Sequence, residues 1–337
     1  MKTYIVDAAE GISPASALLC TGDVVALPTE TVYGLGADAL SPSACAKIFE
    51  AKDRPLYDPL IVHIPDGKWL DRVAVTSPAA LRLAAHFWPG PLTLVLPRTG
   101  IVPDLVTSGQ DTVAVRMSAH PVFQAVARAF GGPIAAPSAN RFGRISPTCA
   151  DHVVEELDGR IPLVVDGGPC EHGVESTIVL VVGSELHILR NGPITAEDLA
   201  PFGAVHGCVA GISAPGGLAS HYAPRTPLMI GESVAEGAGP LFVEQASRLL
   251  SLQRAGSENG GTTATSIGLL AWSHSGEGFA HVEHLSKTQD LREAAANLYG
   301  AMRRLDAAGP ALIVAEPIPE HGLGTAMMER LRKAAAR

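Results

Sequence analysis

The sequence predicts an α/β chain organised as two domains. Short apolar runs of strand length interleave with helix-start signals over the first two hundred residues. A stretch rich in Gly, Pro, Ala and Ser over 207–227 interrupts that pattern, and a smaller α/β alternation resumes beyond it. The length of 337 residues exceeds what one compact core comfortably fills, and 47% hydrophobic with 18% charged side chains describes a globular chain rather than a disordered or fibrous one.

Three Ser-Pro pairs, Ser13-Pro14, Ser41-Pro42 and Ser77-Pro78, each precede an Ala/Leu-rich segment. A capping serine followed by proline at the first helical position predicts three helix starts. Strands are expected at 23–28, 60–64, 92–97, 112–117, 133–137, 162–166, 176–182 and 185–190, all short and apolar. The helix over 41–53 must end before Pro55, because a residue preceding proline avoids helical geometry, so Lys52 and Arg54 stand at its exit. A first domain over 1–206 and a linker over 207–227 follow. The second domain, 228–337, is expected to carry strands at 226–230, 266–272, 280–285 and 311–316. Its helices are expected near 239–255, 287–308 and 322–336, with a surface loop at 256–266. In the 287–308 helix Leu291, Ala294, Ala295, Leu298, Met302 and Leu305 share a face, Ser286 with Gln289 reads as a capping box, and Gly309-Pro310 ends the run.

Several function classes are excluded early. No apolar run approaches the roughly 20 residues that cross a bilayer, and the amino terminus meets Asp7 and Glu10 before any long apolar stretch, so it does not read as a signal peptide. The cytosol is the expected compartment. The five cysteines, Cys20, Cys45, Cys149, Cys170 and Cys208, never form a C-x-x-C pair, which disfavours a disulfide framework and a structural zinc site. A net charge of −9 argues against a protein whose main work is coating nucleic acid. Gly34, Gly36 and Ala39, with Asp53 downstream, superficially match a dinucleotide fingerprint. Six residues separate them from the preceding strand, however, and the next helix starts only at Pro42, so a Rossmann dehydrogenase is rejected. His281 and His284, three apart on a strand, face opposite sides and do not read as a metal pair.

The scarce cations gather beside loops. Lys52 and Arg54 close a helix, where they would equally complement its dipole. Arg116 and Arg190 end otherwise apolar strands, and the segment 136–148 supplies Ser138, Asn140, Arg141, Arg144 and Ser146 without an acid. Singly these are solvated ends. Converging from separate strands they would form an anion pocket fit for a nucleoside triphosphate, whose charge near −4 demands several cationic contacts.

The segments PTETVYGLGADA (28–39), K-x-R-P (52–55), S-x-N (138–140), VESTIV (174–179) and ILR (188–190) together closely resemble the YrdC/Sua5 family of threonylcarbamoyl-AMP synthases, and APGGLASHYAP (214–224) with the tail resembles its long Sua5 form. The resemblance implies a YrdC-like twisted mixed sheet with a smaller Rossmann-like α/β C-terminal domain. It implies a nucleotidyltransferase reaction in which L-threonine, bicarbonate or CO₂ and ATP, with Mg²⁺, give threonylcarbamoyl-AMP and pyrophosphate for t⁶A modification of tRNA. A downstream tRNA threonylcarbamoyl transferase complex is the implied partner. The implied nucleotide site is Lys52, Arg54, Asp58, Thr112, Ser138, Asn140, Ser146, Arg190 and Tyr222; Lys52 and Arg54 are also the implied catalytic cations. The implied threonine site is Thr31, His63, Arg116, Ala136 and Ser176. The linker is expected to act as a lid. Asp58 stands where the family pattern has Asn, and Asn191 where it has Pro. Two other readings remain in competition: an RNA-binding or ribosome-associated factor, and the carbamoyl-transfer relative of hydrogenase maturation, which needs paired cysteines absent from this sequence.

Overall fold

The computed structural model describes residues 2–207, 215, 221–231 and 266–336. They form two compact units, Met1–Phe142 with Ser146–Gly217, and Gly143–Ile145 with Leu218–Arg337. The expected helix near 239–255, the 256–266 loop apart from Ser266, and most of the 207–227 linker lie outside the described residues.

The first unit carries, in chain order, β1 (Tyr4–Asp7), β2 (Val25–Leu27), β3 (Gly34–Asp38), β4 (Ile61–His63), β5 (Leu92–Pro97), β6 (Thr112–Arg116), β7 (Ile134–Ala135), β8 (Leu163–Asp166), β9 (Thr177–Val182), β10 (Glu185–Arg190) and β11 (Ala204–His206). Among the described residues they make one mixed sheet in the order β1-β8-β2-β3-β7-β4-β6-β5-β9-β10-β11. Its two faces bury different side chains of the same strand. Val25 and Leu27 of β2 enter a cluster with Leu19, Phe123 and Ile134, whereas Ala26 joins Tyr33, Leu35, Ile48 and Val164 on the other side. All eight strands expected in this unit form, although β7 is cut to two residues.

Strands β1, β3 and β11 were not expected. β3 is GLGAD, a composition poor in strand propensity. Its glycines let neighbours close in, since a Cβ on Gly36 would lie 2.9 Å from the Ile134 side chain. Those glycines therefore sit inside a strand, not in a phosphate-binding turn.

Two helix starts follow the Ser-Pro expectation. Helix α1 (Ala8–Cys20) does not: it begins at Asp7, whose carboxylate accepts from the N–H of Ala9 and Glu10, and Ser13-Pro14 falls within it. Pro14 is exposed, which leaves the carbonyl that its missing N–H cannot serve open to solvent. Helix α2 (Pro42–Lys52) keeps the expected Ser41 cap, and Asp53 closes it in the left-handed region with φ +52°. Ser77 caps Pro78–Phe87 in the same way.

Register explains how cations from distant segments gather. β4 and β6 run parallel, β5 runs antiparallel to β6, β9 parallel to β5, and β10 antiparallel to β9. The carboxyl ends of β4, β6 and β10 and the amino ends of β5 and β9 consequently open on one edge of the sheet. His63, Arg116 and Arg190 are the last residues of the first three strands, and Ser176 immediately precedes β9.

The second unit has a four-stranded parallel sheet in the order β12-β15-β13-β14, from β12 (Leu228–Ile230), β13 (Ile267–Ala271), β14 (His281–His284) and β15 (Leu312–Ala315). Its long helix, Leu291–Ala308, ends at Gly309 with φ +66° as expected, but starts at Asp290, which accepts from the N–H of Arg292 and Glu293. Ser286 is not the cap. Its hydroxyl accepts from Asp290 N at 2.9 Å and donates to the Glu293 carboxylate. The inserted segment Gly143–Ile145 is tied here through Ala223 N to the Gly143 carbonyl at 2.9 Å and Arg303 to the Ile145 carbonyl.

Gly192, just past β10, allows the chain to pass the start of β9: a Cβ there would stand 2.4 Å from Thr177 N and 2.5 Å from the Glu175 carbonyl. Gly192→Ala is expected to destabilise the protein by about 1–3 kcal/mol through backbone displacement, read by urea denaturation. An unchanged midpoint would show that this neck yields without strain.

Candidate active site

Lys52, at the carboxyl end of α2, is only 1% exposed. Its Nζ donates to the carbonyls of Ser138 at 2.6 Å and Asn140 at 2.5 Å, so it does not serve its own helix end. Burial, aided by the neighbouring charge of Arg54, pushes its pKa well below the usual lysine value, against the pull of Asp58 and Glu156. Arg54 donates Nε to the Asp58 carbonyl at 3.1 Å and Nη2 to the Pro59 carbonyl at 2.7 Å, and Nη2 lies 2.9 Å from the Asp58 carboxylate. Asp58 is itself buried. Desolvation raises its pKa although the charges of Arg54, Lys52 and Arg190 all oppose the rise.

Arg190 closes this cationic group. Nε donates to the Ser176 carbonyl and Nη2 to the Ser176 hydroxyl, both at 3.0 Å, and Nη1 donates to the Pro215 carbonyl at 3.0 Å. The Ser176 hydroxyl also shares a 2.7 Å hydrogen bond with Thr93. Thr93 stands one step beyond the Leu94–Val115 pair of β5 and β6, which brings the register to Arg116.

Arg116 centres a second group. Its Nη2 lies 2.6 Å from the Glu30 carboxylate, Nη1 donates to the Thr31 hydroxyl at 2.9 Å, and Nε to the Gly90 carbonyl at 3.3 Å. Ser118 donates to the other Glu30 oxygen. Burial alone would raise the Glu30 pKa, but the Arg116 charge and the hydrogen bonds from Ser118, Arg116 and the Ala119 backbone outweigh it and bring it to about 2. His63, paired with Arg116 across β4 and β6, packs against Phe123 with ring centroids 4.8 Å apart. Burial first, then the Arg116 charge, pushes its pKa down to about 3, so the ring is neutral near pH 7. Its Nδ1 is buried without a hydrogen-bond partner. Ala136, whose N–H donates to the Ile61 carbonyl, is adjacent to Gly34, where a Cβ would sit 3.2 Å from the Ala136 Cβ.

The remaining candidates are placed as follows. Ser138 and Asn140 present their carbonyls to Lys52, and Asn140 Nδ2 donates to the Arg141 carbonyl. Ser146 donates to Glu175 at 2.5 Å. Thr112 begins β6, four residues and roughly 13 Å along the strand from Arg116, and is not drawn into either group. Tyr222 belongs to the second unit, where it is buried with its ring 5.8 Å from Tyr299. Two loop cations turn elsewhere: Arg141 pairs with Asp53 at 2.8 Å and Arg144 with Asp306 at 3.6 Å. Glu30, Ser118, Thr93, Glu175 and Pro215 were not singled out from sequence. An acid in an otherwise hydroxyl-bearing apolar stretch, Thr29-Glu30-Thr31, was the one local signal available. Among the described residues no group of three or more His, Cys, Asp or Glu gathers to hold a metal, and no helix is long and apolar enough to cross a membrane.

The Glu30–Arg116 pair makes a pH prediction. A carboxyl held at about 2 in the fold against 4.5 unfolded contributes stability that is present above about pH 4.5 and lost as pH falls toward about 2. Glu30→Gln should destabilise by roughly 3–5 kcal/mol near pH 7, because it leaves a buried guanidinium without its counter-charge. The gap between wild type and variant should narrow steadily between pH 4.5 and 3. Denaturant unfolding at several pH values checks both points, and a constant gap would contradict the assignment.

The chain is similar to known proteins over nearly its whole length. The family model described as "Telomere recombination" (Sua5, YciO and YrdC) matches residues 17–192, and that described as "Threonylcarbamoyl-AMP synthase, C-terminal domain" matches 194–336. The threonylcarbamoyl-AMP synthase of Bacillus subtilis is 42% identical over 335 residues, covering 96% of this chain and 92% of its own. That of Pyrococcus abyssi is 40% identical over 330 residues, with 95% and 92% covered. The crystal structure of P. abyssi Sua5 complexed with L-threonine superimposes with a TM-score of 0.86 at 37% identity, covering 99% of this chain and 98% of that one. In sequence and in fold, from the mixed sheet of its first unit to the parallel sheet of its second, the chain belongs to the Sua5/YrdC family of threonylcarbamoyl-AMP synthases.

Proposed function

We propose that the edge shared by β4, β5, β6, β9 and β10 is where L-threonine, bicarbonate or CO₂ and ATP become threonylcarbamoyl-AMP and pyrophosphate. The observation that carries this is the pairing of two groups on one edge, Lys52, Arg54 and Arg190 beside Arg116, Glu30 and Thr31, joined through Ser176 and Thr93. The first group suits a triphosphate, since three cations face one buried acid. In the second, Arg116 matches an amino-acid carboxylate, with Thr31 and Ser176 supplying short polar contacts.

In the reaction, the threonine amine attacks CO₂ and loses a proton to give the carbamate. A carbamate oxygen then attacks the α-phosphorus, and pyrophosphate leaves with the electrons of the broken P–O bond. No nucleophilic side chain is required. The protein holds the reactants in line and neutralises charge as it shifts toward the leaving group, which falls to Lys52, Arg54 and Arg190. By resemblance Ser146, Ser138, Asn140 and Tyr222 are assigned to the nucleotide and His63 and Ala136 to threonine; Thr112, at the far end of β6, is assigned to the nucleotide by resemblance alone.

A resident Mg²⁺ does not fit this cluster. Among the described residues, Asp58 is the acid that the three cations act on, and it is already ion-paired with Arg54. The product is the activated intermediate for t⁶A formation in tRNA, to be consumed by a tRNA-modifying transferase. A role confined to binding RNA is disfavoured, because Lys52, Arg54, Arg116 and Arg190 are at most 7% exposed and cannot track a strand across the surface.

The reading is tested by measuring pyrophosphate release with threonine or bicarbonate omitted in turn; either omission should abolish it. Lys52→Ala and Arg54→Ala should each lower turnover roughly 10²-fold with the fold retained. Arg116→Ala should raise the KM for threonine more than that for ATP. Pyrophosphate release indifferent to threonine would overturn the assignment.

A further inference from the structure

Asp58 is out of place among groups that grip phosphate. Its side chain is 2% exposed and its carboxylate lies against Arg54 at 2.9 Å, within the field of Lys52 at the end of α2 and Arg190 at the end of β10. Among the described residues the cations around it also donate to main-chain carbonyls and a serine hydroxyl: Ser138 and Asn140 for Lys52, Asp58 and Pro59 for Arg54, Ser176 and Pro215 for Arg190. In the free protein Asp58 is thus a counter-ion in the space a polyanion must claim. A triphosphate would take the same guanidinium N–H groups and set its own oxygens beside a buried carboxylate. Buried between Arg54 and its own loop, that carboxylate has no solvent to turn toward.

We propose that Asp58 couples nucleotide binding to the uptake of one proton: it is a carboxylate counter-ion to Arg54 in the free protein and a carboxylic acid donating to a phosphate oxygen once the triphosphate is bound. The proton comes from solvent buffer and forms an O–H bond on the carboxylate; no other bond changes. The phosphate charge set beside Asp58 and the loss of Arg54 as its counter-ion both disfavour the carboxylate, so its pKa is higher in the bound state than in the free protein and the linkage runs toward proton uptake. Raising the pH opposes triphosphate binding by up to tenfold per pH unit, one proton being linked. This inference rests on the cationic group being the nucleotide subsite, as proposed above.

The test is titration calorimetry of the full chain with ATP at pH 7 in two buffers of different ionisation enthalpy, repeated from pH 6 to 8, on wild type and Asp58→Asn. Ionisation of ATP itself is common to both proteins and cancels in the comparison. Wild type should take up close to one proton more than Asp58→Asn, and its affinity relative to the variant should fall by up to tenfold for each pH unit. Thermal unfolding establishes that the variant is folded; should it not be, Asp58→Ser takes its place in the same comparison, which separates the proton on Asp58 from any taken up by Lys52, whose own pKa is lowered. Equal proton counts with parallel affinity curves, or weaker MgATP binding by Asp58→Asn at every pH, would overturn the proposal. The latter would make Asp58 a direct contact to the metal or ribose. Failure of wild type to bind ATP at all would instead strike the proposed function.

Discussion

The site depends on burying positive charge without fully neutralising it. An isolated cation inside a protein is costly unless hydrogen-bonded, and the usual remedy is a carboxylate for each. Here, among the described residues, Lys52 and Arg190 donate to carbonyls and a hydroxyl, and Arg54 donates to carbonyls and pairs with Asp58. Dipoles of this kind stabilise a cation and cancel little of its field. The cationic group keeps much of its local positive charge, even though the whole chain carries a charge of −9. Arg116 is treated differently: its own carboxylate, Glu30, holds it in place and largely cancels its charge.

Topology makes this arrangement possible. A mixed sheet reverses strand direction at chosen places, and here the reversals let the carboxyl ends of three strands meet the amino ends of two others at one edge. Residues as far apart in sequence as Lys52 and Arg190 therefore act on the same acid. The polar ends are fixed by apolar strand interiors, in which every residue of β2 and β4 is buried.

Much of this was legible before any coordinates. Strand-length apolar runs located eight strands of the first unit, and the cations ending such runs at Arg116 and Arg190 do fall on one edge of the sheet. The glycine-rich β3 was not legible, since its strand character comes from close neighbours rather than side-chain propensity. Nor was the start of α1: Ser13-Pro14 carries a strong local signal, yet Asp7 captures two free amides one turn and a half earlier and water tolerates the exposed proline. Within the site, the residue types that grip charge could be picked out, but their partners could not. Glu30, Thr93 and Ser118 earn their places through contacts across 83 to 88 residues of sequence, which no local pattern encodes. The reverse error also appears, since Arg141 and Arg144 look like site cations in sequence and are bound to Asp53 and Asp306 instead.

The short segment Gly143–Ile145 has a consequence for dissecting the molecule. The chain visits the second unit for three residues in the middle of building the first, and leaves two backbone carbonyls there in the keeping of Ala223 and Arg303. The two units are therefore interleaved in sequence, and no single cleavage yields both intact. Trimming the carboxyl half would remove Ala223 and Arg303 and leave those two carbonyls without their donors, so the remainder would be altered within residues 143–145 as well as shortened.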